Sequence, residues 1–248
     1  MVYLKRLIDD ELDALMPELS AIAVDGPKGV GKTATGLQRA ATVIQLDDPV
    51  TLSLVRADPG RALGRARPIL VDEWQRAPEV WDVVRRAVDN GAPASSFLLT
   101  GSATPVVGAT AHSGAGRIVS LRMRPMALPE RGLVPPTVSL ASLLEGDRPR
   151  IDGDCPLTLA DYALEIEKSG FPGIRPLSAR ARRAQLDAYL TRALSRDLTD
   201  EQGVTVRRPD SLRAWITAYA TATSSTATWE AIRAAATPGD ADPPSKAT

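Results

Sequence analysis

Three short stretches of the chain are apolar without interruption: Ala21-Ile22-Ala23-Val24, Ile69-Leu70-Val71 and Phe97-Leu98-Leu99. Each closes on polar residues, namely Asp25, Asp72-Glu73 and Thr100-Gly101-Ser102. A continuous rather than alternating apolar run is the mark of a strand covered on both faces, as in a parallel sheet. Weaker runs at 42–46, closed by Asp47-Asp48-Pro49, and at 117–121 predict further strands. Between them the period changes. Leu4, Leu7, Ile8, Leu12 and Leu15 follow helical spacing, with Pro17 as a stop. The Ala-rich segment 34–41 and the segment from Pro78 to Asp89, ended by Asn90-Gly91, also predict helices. Strands alternating with helices predict an α/β fold, a parallel sheet with helices on both faces.

Beyond Pro125 the prolines cluster as far as Pro156, which predicts a connecting region, and only helical patterns follow, at 157–168, 177–199, 211–221 and 228–236. The expected organisation is a sheet-containing core over 1–135 and a helical segment over 136–248. Trp215 to Thr248 resembles the beginning of a helix-turn-helix or winged-helix unit, cut where its second helix should start.

Length and composition narrow the class. The 248 residues can bury a substantial core, and 44% hydrophobic with 24% charged residues is ordinary for a globular protein. Lys+Arg and Asp+Glu balance at 30 each, so no bulk attraction draws the whole chain to nucleic acid or to an anionic membrane. With Cys155 as its one cysteine the chain can form no internal disulfide, which suits a reducing compartment. Acids interrupt the N-terminal segment where a secretory signal needs an apolar run, and no stretch approaches the roughly 18 apolar residues of a membrane span. The expected location is the cytoplasm, with no membrane partner.

The chemistry concentrates after the first strand. Gly26-Pro27-Lys28-Gly29-Val30-Gly31-Lys32-Thr33 satisfies G-x-x-x-x-G-K-[ST] in full, between a strand and a helix that runs on through Ala34. Glycines let successive N–H groups turn toward a phosphate, and the following helix adds its positive end. Lys32 is expected to reach the β- and γ-phosphates and the Thr33 hydroxyl to ligate Mg²⁺. Asp72 and Glu73 end a strand of Walker B type, where Asp72 would hold Mg²⁺ and Glu73 would orient the attacking water. Ser102 or Thr100, at the end of the next strand, would sense the γ-phosphate or that water. Arg117, after the Gly-rich stretch 108–116, is a candidate to neutralise developing charge, in cis or from a neighbouring subunit. His112 is expected to do no catalytic work, and Trp74 and Trp81 to pack the core.

Taken together, GPKGVGKT, ILVDEWQRAPEVWDVVRRAVD, FLLTGSATP and HSGAGRIVSLRMRPMALPE resemble prokaryotic AAA-like ATPases with a DUF4143 region C-terminal to the ATPase core. The resemblance implies a core with an extra strand between the P-loop strand and the Walker B strand. It carries Lys32, Thr33, Asp72, Glu73 and Ser102 into the roles above and favours Arg117 as an arginine finger. Members of that family continue into a further domain that is nuclease-like in fold, so a chain ending at Thr248 is expected to be truncated. The acids of 161–167 do not supply a nuclease pattern, because no acid stands two positions before Lys168.

The expected function is Mg²⁺-dependent binding and hydrolysis of ATP, with a homo-oligomer, DNA or a protein as partner. The alternative is a nucleotide-dependent switch or DNA-binding regulator with little turnover, suggested by the excess of arginine over acids in 175–213. A small-molecule kinase is disfavoured by the acid pair and the polar strand end that follows it.

Overall fold

The computed structural model describes residues 3–102, 114–150, 152, 154–197 and 208–239. Its centre is a five-stranded sheet in the order β2-β3-β4-β1-β5, formed by β1 (Ala21–Asp25), β2 (Thr42–Gln45), β3 (Ile69–Asp72), β4 (Phe97–Gly101) and β5 (Val119–Arg122). All pairings are parallel. β4 therefore lies between β1 and β3, which is the inserted strand that the resemblance implied.

The apolar runs divide by parity, as a period of two requires. Ile22, Val24, Leu70 and Leu98 face one side, with Leu12 and Met16 of α1 (Leu7–Leu15) and its C-cap and with Val30. Ala21, Ala23, Ile69, Val71, Phe97 and Leu99 face the other, against Val80, Trp81 and Val84 of α5 (Glu79–Asp89). Trp74 and Trp81 stack at 4.7 Å between ring centroids inside this second cluster, so both are core residues. The helix after the loop, α2 (Lys32–Leu37), is shorter than the Ala-rich pattern predicts.

Two helices escaped the sequence pattern, α3 (Pro49–Ala57) and α4 (Pro59–Ala62). Asp48-Pro49, which reads as the stop of the run 42–46, starts a helix, and Asp58-Pro59 starts the next. Asp48 accepts from the Thr51 N–H and Asp58 from the Arg61 N–H, and each proline fills the first helical position, where an N–H is not needed.

Contacts divide the chain into two compact units, Met1–Arg182 and Arg183–Thr248. After β5 the first unit continues in helices, among them α6 (Leu140–Leu144), α7 (Leu159–Lys168) and the start of α8 (Ala179–Arg192). The buried Glu165 on α7 accepts from Arg131 at 3.0 Å, Arg175 at 2.8 Å and Lys168 at 3.2 Å. Hydrogen bonding from Arg175, with lesser help from Arg131 and Lys168, outweighs burial and lowers its pKa to about 2. In the second unit, α9 (Pro209–Ala222) packs on α10 (Trp229–Ala236) through Ala218, Ile232 and Ala236. No helix among the described residues is long and apolar enough to cross a membrane.

Candidate functional site

Because the strands are parallel, Asp25, Gly101 and Asp72 end on one edge of the sheet, in register as Asp25↔Gly101 and Asp72↔Thr100. The glycine loop springs from that edge. Gly26 has a φ of +148°, and a Cβ there would stand 2.2 Å from the Met123 carbonyl oxygen, so the residue has to be glycine. Gly31, at φ +112°, makes the turn into α2. Pro27, Lys28 and Gly29 form the outer part of the loop, Val30 is fully buried beneath it, and Ala34 is exposed on the first turn of α2.

The loop's polar groups converge on the strand end. Lys32 Nζ donates to the carbonyls of Gly26 at 2.8 Å and Pro27 at 3.0 Å, which holds a largely buried ammonium across the loop. The Thr33 hydroxyl lies 3.0 and 2.9 Å from the two oxygens of Asp72. Asp72 is itself buried, and Thr100 Oγ1 donates to its Oδ1 at 2.5 Å. Thr100 thus orients the carboxylate and is placed behind it.

Among the described residues no cluster of three or more His, Cys, Asp or Glu could hold a metal ion alone. The paired Thr33 hydroxyl and Asp72 carboxylate fit Mg²⁺ in its usual mode, with few protein oxygens and the rest from water and phosphate. They would orient that ion, whose chemistry is to neutralise charge on the phosphates.

Glu73 takes left-handed backbone angles, φ 57° and ψ 42°, uncommon for a non-glycine residue and concentrated at functional turns. A short 3₁₀ turn, Trp74–Arg76, then brings Gln75 back over the strand ends. Gln75 Nε2 donates to Glu73 Oε2 at 2.5 Å and to Ser102 Oγ at 3.1 Å, so one amide joins the two expected catalytic side chains. The sequence reading did not single out Gln75, although its place two residues after the acid pair was available as a signal.

Arg117 is elsewhere. It precedes β5, whose first residue pairs with Ile22 near the start of β1, so it sits at the opposite edge of the sheet from the loop. Four residue steps separate those edges, about 13 Å along a strand. There Arg117 Nε donates to Asp89 Oδ1 at 2.8 Å. The structure brings Lys32, Thr33, Asp72, Glu73 and Ser102 to one edge and leaves Arg117 off it. His112 and the glycine at 108 lie outside the described residues.

On the other side of the loop is a cavity of about 610 Å³, bordered by Gly31 of the loop, Ala34 of α2 and its C-cap Gln38, by Tyr3 and Arg6, and by Pro172. Burial and a hydrogen bond to Asp9 push the Tyr3 phenol up to about 12, so it is a neutral donor.

Fold and site together define a P-loop α/β domain with one strand inserted between its loop-bearing strand and its acid-bearing strand. Residues 19–131 match the AAA domain family AAA_14, which supports an AAA-like P-loop core. The chain is 29% identical over 200 residues to uncharacterized proteins of Mycobacterium tuberculosis and Mycobacterium bovis, covering 78% of this chain. It spans 39% of the length of those curated relatives. Among solved structures it is similar to a Walker-type ATPase of Pyrococcus abyssi, with 16% identity, a TM-score of 0.49 and coverage of 93% of this chain and 83% of that one. Another is the replication initiator DnaA bound to AMPPCP and single-stranded DNA, with 14% identity, a TM-score of 0.33 and coverage of 92% and 81%.

Proposed function

We propose that this chain binds ATP with Mg²⁺ at the loop 26–34 and hydrolyses it. The observation that carries the reading is the contact of the Thr33 hydroxyl with both oxygens of a buried Asp72, directly under the loop that bears Lys32. Loop N–H groups and Lys32 bind the phosphates, Thr33 and Asp72 orient the metal ion, and Glu73 positions water. The nucleoside lies toward the cavity beside Gly31 and Ala34. Ser102 acts through Gln75 as a sensor of the terminal phosphate. Arg117 cannot serve its own chain's site from the far edge, so its role as a finger belongs to a homo-oligomer in which it meets a neighbour's nucleotide. The domain division at about 135, a DUF4143-type continuation and a cytoplasmic location complete this reading.

One observation favours the alternative of a nucleotide-dependent switch with little turnover, acting on DNA or a protein. Glu73 is engaged by Gln75 at 2.5 Å, and an engaged carboxylate is a poor base until the amide lets go. Phosphate release by the wild type and Glu73→Gln, with and without DNA, separates the two. Hydrolysis lost in Glu73→Gln with nucleotide still bound is the expected result. Binding without release in both proteins gives the switch, and no affinity for any nucleotide ends both readings.

A further inference from the structure

The geometry points to Arg6 as a positioning residue for the phosphate loop, delivered by a helix that lies outside the loop motif. This rests on the proposed nucleotide site and adds to it a side chain from before the first strand. Arg6 caps α1 through its backbone N–H, which donates to Asp9 Oδ2 at 2.6 Å, and its side chain is only 4% exposed. Every arm of the guanidinium is used. Nη1 donates to the Val30 carbonyl at 2.7 Å, Nη2 to the Arg124 carbonyl at 2.8 Å, and Nε to Glu130 Oε1 at 2.8 Å. Glu130 is fixed in turn by the N–H groups of Leu7 at 2.8 Å and Ala127 at 2.6 Å.

The consequence follows from the peptide unit. It is planar and trans, so the carbonyl of Val30 and the N–H of Gly31 point in opposite directions. By gripping that carbonyl from the cavity side, Arg6 turns the Gly31 N–H away from itself and into the loop, where a phosphate oxygen needs a donor. Gly31 is free to flip, because its φ of +112° is open to glycine, so something has to hold this plane. The Val30 side chain, fully buried among Leu12, Met16 and Met123, anchors one end, and Arg6 anchors the other. The Arg6 contact with Arg124 extends the hold to the exit of β5, beside the Met123 carbonyl that Gly26 approaches. Both ends of the loop are thus referenced to one guanidinium. A lysine, with a single compact ammonium, cannot reach three acceptors in these directions.

The test is calorimetric binding of Mg·ADP to the full chain, as wild type, Arg6→Lys and Val84→Ala. The last variant loosens the core on the opposite face of the sheet from Arg6 and Val30 and sets the effect of destabilisation alone. Arg6→Lys is expected to weaken ADP about tenfold, with Val84→Ala at matched melting temperature changing it less than about twofold. In turnover the same loss appears as a raised KM with kcat nearly unchanged. Should Arg6→Lys not fold, Glu130→Gln is measured in its place and is expected to weaken ADP severalfold. Wild-type affinity in the folded variant, or equal weakening by Val84→Ala, overturns the inference and leaves the nucleotide site standing. If the wild type binds no ADP, the nucleotide site itself falls.

Discussion

Each edge of the sheet holds an aspartate in short hydrogen bonds, Asp72 at one and Asp89 at the other, and makes different things of it. At the C-terminal edge an acid and a hydroxyl, Asp72 and Thr100, are buried to 6% and 1% exposure, and each hydrogen bond among Thr33, Asp72 and Thr100 fixes a direction. At the N-terminal edge Arg117 meets Asp89 at a similar distance, 2.8 Å, but the side chains are 48% and 36% exposed. In the open, water competes for both partners and such a pair holds little. In the buried case an unmatched group would be costly, so the arrangement is maintained. Equal distances therefore do not mean equal roles.

Substitutions can break that contrast. The largest effect is expected from Lys32→Ala, which removes the charge spanning the loop and should weaken ATP by about a hundredfold or more, read by calorimetry. Next comes Thr100→Val, which keeps the shape and removes the hydrogen bond to Asp72. Mg²⁺-dependent turnover should drop by about tenfold, with a smaller change in ADP affinity without the metal. A loss in Thr100→Val that is independent of Mg²⁺ would sever Thr100 from the metal-orienting group.

Acid sharpens the comparison at a third place. Glu165 has its pKa lowered from 4.5 to about 2, chiefly by hydrogen bonding from Arg175. A depressed carboxylate stabilises the fold fully above its unfolded value and loses that contribution as pH falls toward the folded one. The melting temperature should therefore decline between about pH 4.5 and 2, and Glu165→Gln should lie lower at neutral pH and show a shallower decline. Smallest is Arg117→Ala, whose melting temperature should match the wild type. Any effect on turnover should appear only at protein concentrations where copies associate, and a loss in a strictly monomeric sample would contradict the distant placement.

Much of this was legible in the chain itself. Uninterrupted apolar runs announced β1, β3 and β4, and the loop motif with Asp72 pointed to the candidate site, because those signals are contiguous and local. What was hidden depends on distance in sequence or on context. Asp48-Pro49 and Asp58-Pro59 can end one element or begin another, and only the Thr51 and Arg61 N–H groups show which. Glu130 stands 124 positions from Arg6, and neither residue advertises the other. The position of Arg117 relative to the loop required the strand order, since the sequence shows its neighbours and not its edge.

Tyr3 and Leu4 border the 610 Å³ cavity, with Arg6 just beyond them. Side chains from before the first strand thus form one wall of the compartment assigned to the nucleoside, so removing them would open that compartment while leaving every residue of the phosphate loop in place.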